Sequence, residues 1–129
     1  MTVSERMLYH QLHPAKLVVD WSTAAIAGAL LWRPLWFAAL VVGFGPSILA
    51  TLVFVSGFFD RALDRIRTRK AAHALASHLT RGVNALRFAG LGLSWAGCAL
   101  HQLWLVPVGI VVILGAWLLA WNRGRTDDA

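Results

Sequence analysis

Two ionisable side chains stand within stretches of sequence that are otherwise apolar. Asp20 lies near the start of LVVDWSTAAIAGALLW, residues 17–32, and Arg87 lies in the apolar run that follows Gly82. An ionised side chain costs about 2.5 to 3.5 kcal/mol at the centre of a membrane-spanning helix, so such residues commonly pair with each other or mark a binding site. Asp20 and Arg87 are therefore the first candidates for a functional site.

Helical spacing extends each candidate into a stripe along one helix face. Lys16 and Thr23 lie one turn to either side of Asp20, and Ser94 lies two turns after Arg87. Small residues complete both stripes, and small residues let two helix backbones approach closely in lipid. We expect the stripes to pack together and to bring Asp20 and Arg87 into an ion pair. Lys16, one turn before Asp20 on the same face, is the alternative partner.

Two interpretations of these charges stay open. In the first, the ion pair is structural and fixes the register of the two helices. In the second, the polar stripes form a binding site or an ion pathway, which is the usual role of ionisable residues inside a membrane. The residues of that predicted site are Lys16, Asp20, Thr23, Arg87 and Ser94.

Catalytic chemistry finds no support in the sequence. There is no Ser-His-Asp set, nucleophile elbow, glycine-rich phosphate loop or paired-carboxylate motif. His10 and His13 are one helical turn apart, but no second liganding cluster accompanies them. We therefore predict no enzymatic activity, no catalytic residues, no metal and no cofactor.

The composition is typical of an integral membrane protein. Of the 129 residues, 58% are hydrophobic, and the mean hydropathy is +0.62. Soluble domains are roughly half apolar, so the excess is expected to face lipid. Seven tryptophans against one tyrosine agree with this interpretation, since indole rings favour the membrane interface.

The apolar blocks predict an all-α integral membrane protein, with a single membrane domain over residues 1–129. Its four transmembrane helices are expected to form two helical hairpins. These helices cover residues 15–32, 35–59, 83–100 and 103–121, after an N-terminal segment at 1–14. Pro46 lies in the middle of the second helix, where it cannot donate to the carbonyl of Val42, so we expect a kink there.

A basic segment, residues 60–81, separates the second and third predicted helices. Its apolar residues recur at helical spacing, which predicts a basic amphipathic helix at the membrane surface. Anionic lipid of the inner leaflet attracts such a helix by about 1 kcal/mol per basic residue. The side chains expected to contact lipid headgroups are Arg61, Arg65, Arg67, Arg69 and Lys70. No nucleic-acid partner is predicted, because the segment is tethered between membrane helices and lacks aromatic residues for base stacking.

The distribution of positive charge predicts the orientation. If the N-terminus, the basic segment and the C-terminus lie on one side, every Lys and Arg except Arg33 and Arg87 lies on that side. The positive-inside rule assigns it to the cytoplasm. We expect a multi-pass protein of the cell's inner (plasma) membrane with both termini cytoplasmic. Four short helices rich in small residues bury little surface, so a homo-oligomer is also expected.

The predicted function is an oligomeric channel or transporter for a small ion or solute, with the polar stripes lining the pathway. The alternative is a non-catalytic accessory, scaffolding or lipid-binding subunit of a larger membrane complex. Intramembrane charge favours the first prediction. The absence of a recognisable filter or catalytic motif, together with the lipid-binding basic segment, favours the second.

Overall fold

The structure is a computed structural model, and it describes residues 1–127. This part of the chain is all-helical, without strands. In chain order the helices are α1 (Val3–Tyr9), α2 (Pro14–Trp32), α3 (Trp36–Val55), α4 (Asp60–Arg67), α5 (Lys70–Ser77), α6 (Arg81–Ala99) and α7 (Leu105–Asp127). A 3-10 turn, His10–Leu12, joins α1 to α2. The predicted all-α class is confirmed.

Within the described residues, three helices are long and apolar enough to cross a membrane. They are α2, α3 and the part of α7 from Leu105 to Thr126. Helix α6 has the same length as α2, 19 residues, but Arg81, Asn84 and Arg87 in its first two turns lower its hydropathy. The three apolar helices are consistent with a membrane protein, and the fourth span stays a prediction.

Helices α6 and α7 pack closely where glycines meet. A methyl group placed on Gly109 of α7 would collide with the carbonyl oxygen of Gly90 and with Oγ of Ser94 on α6. The Ser94 hydroxyl donates to the carbonyl of Val106 at 3.1 Å. The small face of α6 therefore lies mainly against α7, and not against α2 as the sequence analysis expected.

Helix α2 contacts α6 through fewer residues, which lie near the C-terminal end of α6 at Trp95 and Cys98. The indole N–H of Trp95 donates to the carbonyl of Ala24 at 3.1 Å. A methyl group on Gly28 would lie 3.2 Å from Sγ of Cys98. The first and third long helices are therefore neighbours. Helix α2 packs against α3 through the buried side chains of Ala27, Leu31 and Ala39, and Trp95 and Cys98 of α6 pack against the same cluster.

The N-terminal segment, the basic segment and the C-terminal end of α7 share one end of the molecule. Arg6 in α1 donates through Nε and Nη2 to the two carboxylate oxygens of Asp60 in α4, at 2.8 and 2.7 Å. These hydrogen bonds hold the pKa of Asp60 below its ordinary value of 3.8. Gly124 of α7 lies against the backbone of Ala74 in α5. The segments predicted to share one side of the membrane thus meet at one end of the structure.

Several helix bounds differ from the prediction, since α6 begins at Arg81 and not at residue 83, and α7 covers Leu105–Asp127 and not residues 103–121. Two further differences have local reasons. Helix α3 ends at Val55, before the predicted residue 59, because Gly57 has a φ of +91° that favours glycine and stops the helix. Helix α1 lies inside a segment for which no helix was predicted. It begins with a capping box, in which the Thr2 hydroxyl accepts from the Glu5 N–H and the Glu5 carboxylate accepts from the Thr2 N–H.

The basic segment forms two short helices instead of one. Helix α4 ends at Arg67 and α5 begins at Lys70. Leu63 and Ala76 are buried, so an apolar face continues across the break, and this continuity is why the spacing predicted a single helix. Helix α3 runs through Pro46 without interruption, and the kink expected there stays a prediction.

Candidate functional site

A cavity of about 880 Å³ lies among the four long helices. The residues predicted from the sequence as a binding site or pathway all line it, namely Lys16, Asp20, Thr23, Arg87 and Ser94. The volume falls in the range of about 300 to 1,000 Å³ that is typical of small-molecule sites. The structure thus brings the predicted residues to one space, while their role in binding stays a prediction.

The ion pair in the cavity joins Lys16 to Asp20. The ammonium Nζ donates to Oδ1 of Asp20 and to the hydroxyl of Ser47, the latter at 2.7 Å. The Ser47 hydroxyl in turn donates to the same Oδ1 at 2.6 Å. The Lys16 side chain is only 4% exposed and that of Asp20 is 31% exposed. A buried charge requires partners of this kind. Lys16 of α2 neutralises the carboxylate, and Ser47 of α3 adds a hydrogen bond to it.

Arg87 has a different environment. Its Nη1 group donates to Oε1 of Gln11 at 3.1 Å and to Oδ1 of Asn84 at 3.0 Å. The guanidinium carbon lies 4.4 Å from the centroid of the Trp117 ring in α7. Stacking on an indole face is a favourable cation–π arrangement. The side chain is therefore held by neutral groups from the N-terminal turn, α6 and α7.

The predicted ion pair between Asp20 and Arg87 is wrong, and Lys16 is the partner of Asp20. The reason lies in the rotation of α6. Its small face packs against α7, which directs Arg87 toward Trp117. Lys16 reaches Asp20 along a single turn of α2, so this contact does not depend on how helices pack.

Arg87 lines the cavity, and one edge of its guanidinium has no protein acceptor in the described chain. Neither Nε nor Nη2 donates to any residue among 1–126, and no carboxylate oxygen there lies within 4.0 Å of the group. No fully buried side-chain nitrogen or oxygen in that region lacks a partner. These two donors are therefore accessible from the cavity.

The two hydroxyl residues of the predicted site direct their protons to the backbone. Thr23 donates to the carbonyl of Val19 at 2.8 Å, and Ser94 donates to the carbonyl of Val106 at 3.1 Å. Their hydroxyl protons are thus committed to backbone carbonyls, so each oxygen can interact with a further group only as an acceptor. They add polarity to the cavity wall without adding charge.

Several residues of the site escaped the sequence analysis. Ser47 and Asn84 carried a usable signal, since Ser47 is polar within an apolar helix and Asn84 lies at i−3 from Arg87. Gln11 and Trp117 carried none, because only tertiary packing brings them to the guanidinium.

His10 lies at the polar end of the cavity and is 3% exposed. Its Nδ1 lies 3.1 Å from the carbonyl oxygen of Arg6, so Nδ1 carries the proton of the neutral ring. The Nε2 atom lies 3.4 Å from the hydroxyl of Thr51. Burial lowers the pKa of His10 below its ordinary value of 6.5.

We expect the thermal stability of the protein to fall as the pH drops below 6.5. In that range the unfolded chain binds a proton at His10 and the folded chain does not, so protons favour unfolding. The His10→Gln variant should lack this contribution. The measurement is the melting temperature of both proteins in a neutral detergent at about pH 7.5 and about pH 5.5. Equal losses in the two proteins would contradict the assignment.

The residues predicted to contact lipid headgroups lie on the outside of α4 and at the start of α5. All are exposed, namely Arg61, Arg65, Arg67, Arg69 and Lys70. Arg67 also approaches the carboxylate of Glu5 at 3.3 Å. The placement leaves these side chains accessible, and their contact with lipid stays a prediction.

The histidine rings near the N-terminus have structural partners. His13 Nδ1 accepts the backbone N–H of Ala15 at 3.1 Å and so caps the start of α2. In the part of the chain that the structure describes, no group of three or more His, Cys, Asp and Glu residues could hold a metal ion.

Together, the fold and the cavity define an all-helical protein with three helices able to cross a membrane and with charged side chains facing a central space. No family model, curated protein or solved structure matches the chain.

Proposed function

We propose that the chain is a four-span protein of the cell's inner membrane, with both termini in the cytoplasm, and that its cavity carries a small ion or solute across the membrane. The observation that supports this most strongly is the cavity itself, which is lined by Lys16, Asp20 and Arg87. Protein interiors are normally close-packed. A purely structural ion pair needs no space of this size beside it, whereas a transported solute does.

The assignment of α6 as a fourth span rests on its length and its surroundings. Nineteen residues extend about 28 Å, close to the thickness of the hydrocarbon core. The helix contacts α2 and α7, and its outer face presents the exposed apolar side chains of Leu86, Phe88 and Leu93. Such a face fits lipid. Arg87, on the inner side, is shielded within the cavity.

The orientation follows from the shared polar end. Asp60 of α4 accepts from Arg6 of the N-terminal segment, and the end of α7 lies against α5. The positive-inside rule favours the cytoplasm for this end. We further propose that several copies associate, since four short helices leave much apolar surface exposed.

Flux through reconstituted protein tests the transport proposal. We expect passage of small ions or carboxylates into proteoliposomes to fall by about tenfold or more in Asp20→Asn and in Arg87→Gln, since each change removes a charged hydrogen-bonding group from the cavity. Arg33→Gln is the matched control, because Arg33 is exposed and lies outside the cavity. Flux that is the same in all variants and in the unaltered protein would overturn the proposal.

A second candidate function is a lipid-binding accessory subunit of a larger membrane complex. The exposed basic side chains of α4 and α5 favour it, because they are free to contact anionic headgroups. A combined Arg61→Gln, Arg65→Gln and Arg69→Gln variant should then lose its preference for vesicles containing phosphatidylserine. Purification of the chain alone as a defined oligomer around a hydrated pore would count against this candidate.

A further inference from the structure

We infer that the ligand of the cavity is an anionic amphiphile, with its acidic group bound by Arg87 and its apolar tail lying between the helices. This inference rests on the proposed function and names its substrate class. It follows from the distribution of charge and polarity over the cavity wall.

The acidic group is selected by the free edge of the Arg87 guanidinium. Nε and Nη2 point their N–H groups in parallel, which suits two-point binding of a carboxylate or a phosphate. Gln11 and Asn84 occupy Nη1, and Trp117 supports the plane of the group. The guanidinium is thus held in position at the cavity wall, with its Nε and Nη2 edge unoccupied by acceptors from the described chain.

The net charge of the cavity also favours an anion. The charged side chains that face it are Lys16, Asp20 and Arg87. Lys16 and Asp20 neutralise each other, so Arg87 leaves one positive charge. The balance disfavours a cation, because the Lys16 ammonium already offsets the charge of the Asp20 carboxylate, whose Oδ1 accepts from Lys16 and Ser47.

The tail is selected by the rest of the cavity wall, which is apolar. Leu91 of α6, Ile110 of α7 and Phe44 of α3 are among the residues that line this region, and the Phe44 ring meets the ring of Trp95 edge to face at 5.3 Å. From Arg87 to Cys98, which also lines the cavity, α6 rises about 16 Å. The lining residues thus extend along a length of helix comparable with an extended alkyl chain of medium length.

A simpler ligand would use only one of the two features of the site. A small inorganic anion would not bury apolar surface against the walls, and a neutral lipid would not accept from the unoccupied edge of the guanidinium. Each methylene buried in such a wall is worth about fourfold in affinity. The two features together therefore point to a molecule with one acidic end and one apolar end.

The test measures binding of three matched probes to the full chain in a neutral maltoside detergent, by native mass spectrometry. Decanoate carries both features, acetate carries only the charge, and decan-1-ol carries only the tail. We expect decanoate to bind about tenfold or more tightly than decan-1-ol and at least about a hundredfold more tightly than acetate, because burial of about four of its eight additional carbons already supplies that factor. Phenyl phosphate and a lysophosphatidic acid, compared in the same way, distinguish a free phosphate monoester from a lipid headgroup.

Variants at the guanidinium complete the experiment. Arg87→Gln should reduce decanoate binding to the level of decan-1-ol, and Arg87→Lys, which keeps the charge but loses the fork, should give an intermediate affinity. Arg33→Gln should bind decanoate as the unaltered chain does. Circular dichroism of each variant separates loss of binding from loss of fold, and if Arg87→Gln does not fold, the Arg87→Lys result decides.

The binding results that would contradict the ligand assignment can be distinguished from results that would contradict transport. Equal affinity for acetate and decanoate, equal affinity for decan-1-ol and decanoate, or unchanged binding in both Arg87 variants would each overturn the inference. If no probe binds while ion flux still depends on Arg87, the inference falls and the proposed function stands. If decanoate binds through Arg87 but no solute crosses the membrane, the ligand assignment stands and transport falls.

Discussion

Gly109→Ala is expected to destabilise the helical bundle severely. The added methyl group would collide with Oγ of Ser94 and the carbonyl oxygen of Gly90, and it would lie 2.7 Å from the backbone nitrogen of Ser94. Two of these atoms belong to the α6 backbone, so α6 and α7 must separate. Overpacking of this kind typically costs about 1 to 3 kcal/mol, and occasionally more.

The matched control is Gly115→Ala in the same helix. No atom lies within 4 Å of the position that its methyl group would occupy. Alanine also has the higher helix propensity, so this variant should be as stable as the unaltered chain or slightly more so. The measurement is the melting temperature of the three proteins in one detergent. If both substitutions shift it equally, the close packing of α6 against α7 is wrong.

Removing Asp20 alone should cost more than removing Asp20 and Lys16 together. Asp20→Leu leaves the Lys16 ammonium, which is 4% exposed, with only the Ser47 hydroxyl as a partner. Breaking a buried ion pair in this way typically costs about 3 to 5 kcal/mol. The cost here should lie toward the lower end, because Asp20 itself is 31% exposed to the cavity. In the double variant Lys16→Met/Asp20→Leu no charge remains to be compensated.

A double-mutant cycle measures this coupling. We expect the stability losses of Lys16→Met and Asp20→Leu to exceed, when added, the loss in the double variant by about 1 to 3 kcal/mol. Free energies of unfolding for the four proteins, from denaturant titration in mixed micelles, provide the comparison. Additive losses would show that the two side chains do not interact in solution.

The sequence predicted the helices well because apolar runs and charge segregation act locally. The start of α2 at Pro14 and its end at Trp32 lie within one residue of the predicted bounds. Local signals that were present but unused account for the main differences. The Thr2 and Glu5 capping pattern indicates α1, and Gly57 marks the end of α3.

The site was predictable in its composition but not in its pairing. Helical spacing placed Asp20 and Arg87 on inward faces, and both line the cavity. The choice of partner depends on the rotation of each long helix about its axis. Helix α3 is apolar apart from Ser47 and Thr51, so its sequence indicates a polar position but not that Ser47 turns toward Asp20. The small residues of α6 could pack closely against either α2 or α7, and in the structure they pack mainly against α7.

The central claim is that α2 and α6 are neighbours and that the cavity, with its three charged side chains, lies beside them. A cysteine cross-link tests it most directly, because Cys98 is the only cysteine of the chain. In Gly28→Cys the new Cβ would lie 3.2 Å from Sγ of Cys98, which is close enough for a disulfide after a small adjustment. Gly45→Cys is the control, since nothing lies within 4 Å of its Cβ position.

Free thiols are counted in membranes before and after mild copper-phenanthroline oxidation, from the gel shift that a polymer-linked maleimide produces. The structure predicts that Gly28→Cys loses both thiols to a disulfide within one chain, while Gly45→Cys keeps both. Two free thiols in oxidised Gly28→Cys, with the protein folded, would mean that α2 and α6 stand apart and that the cavity does not exist as described.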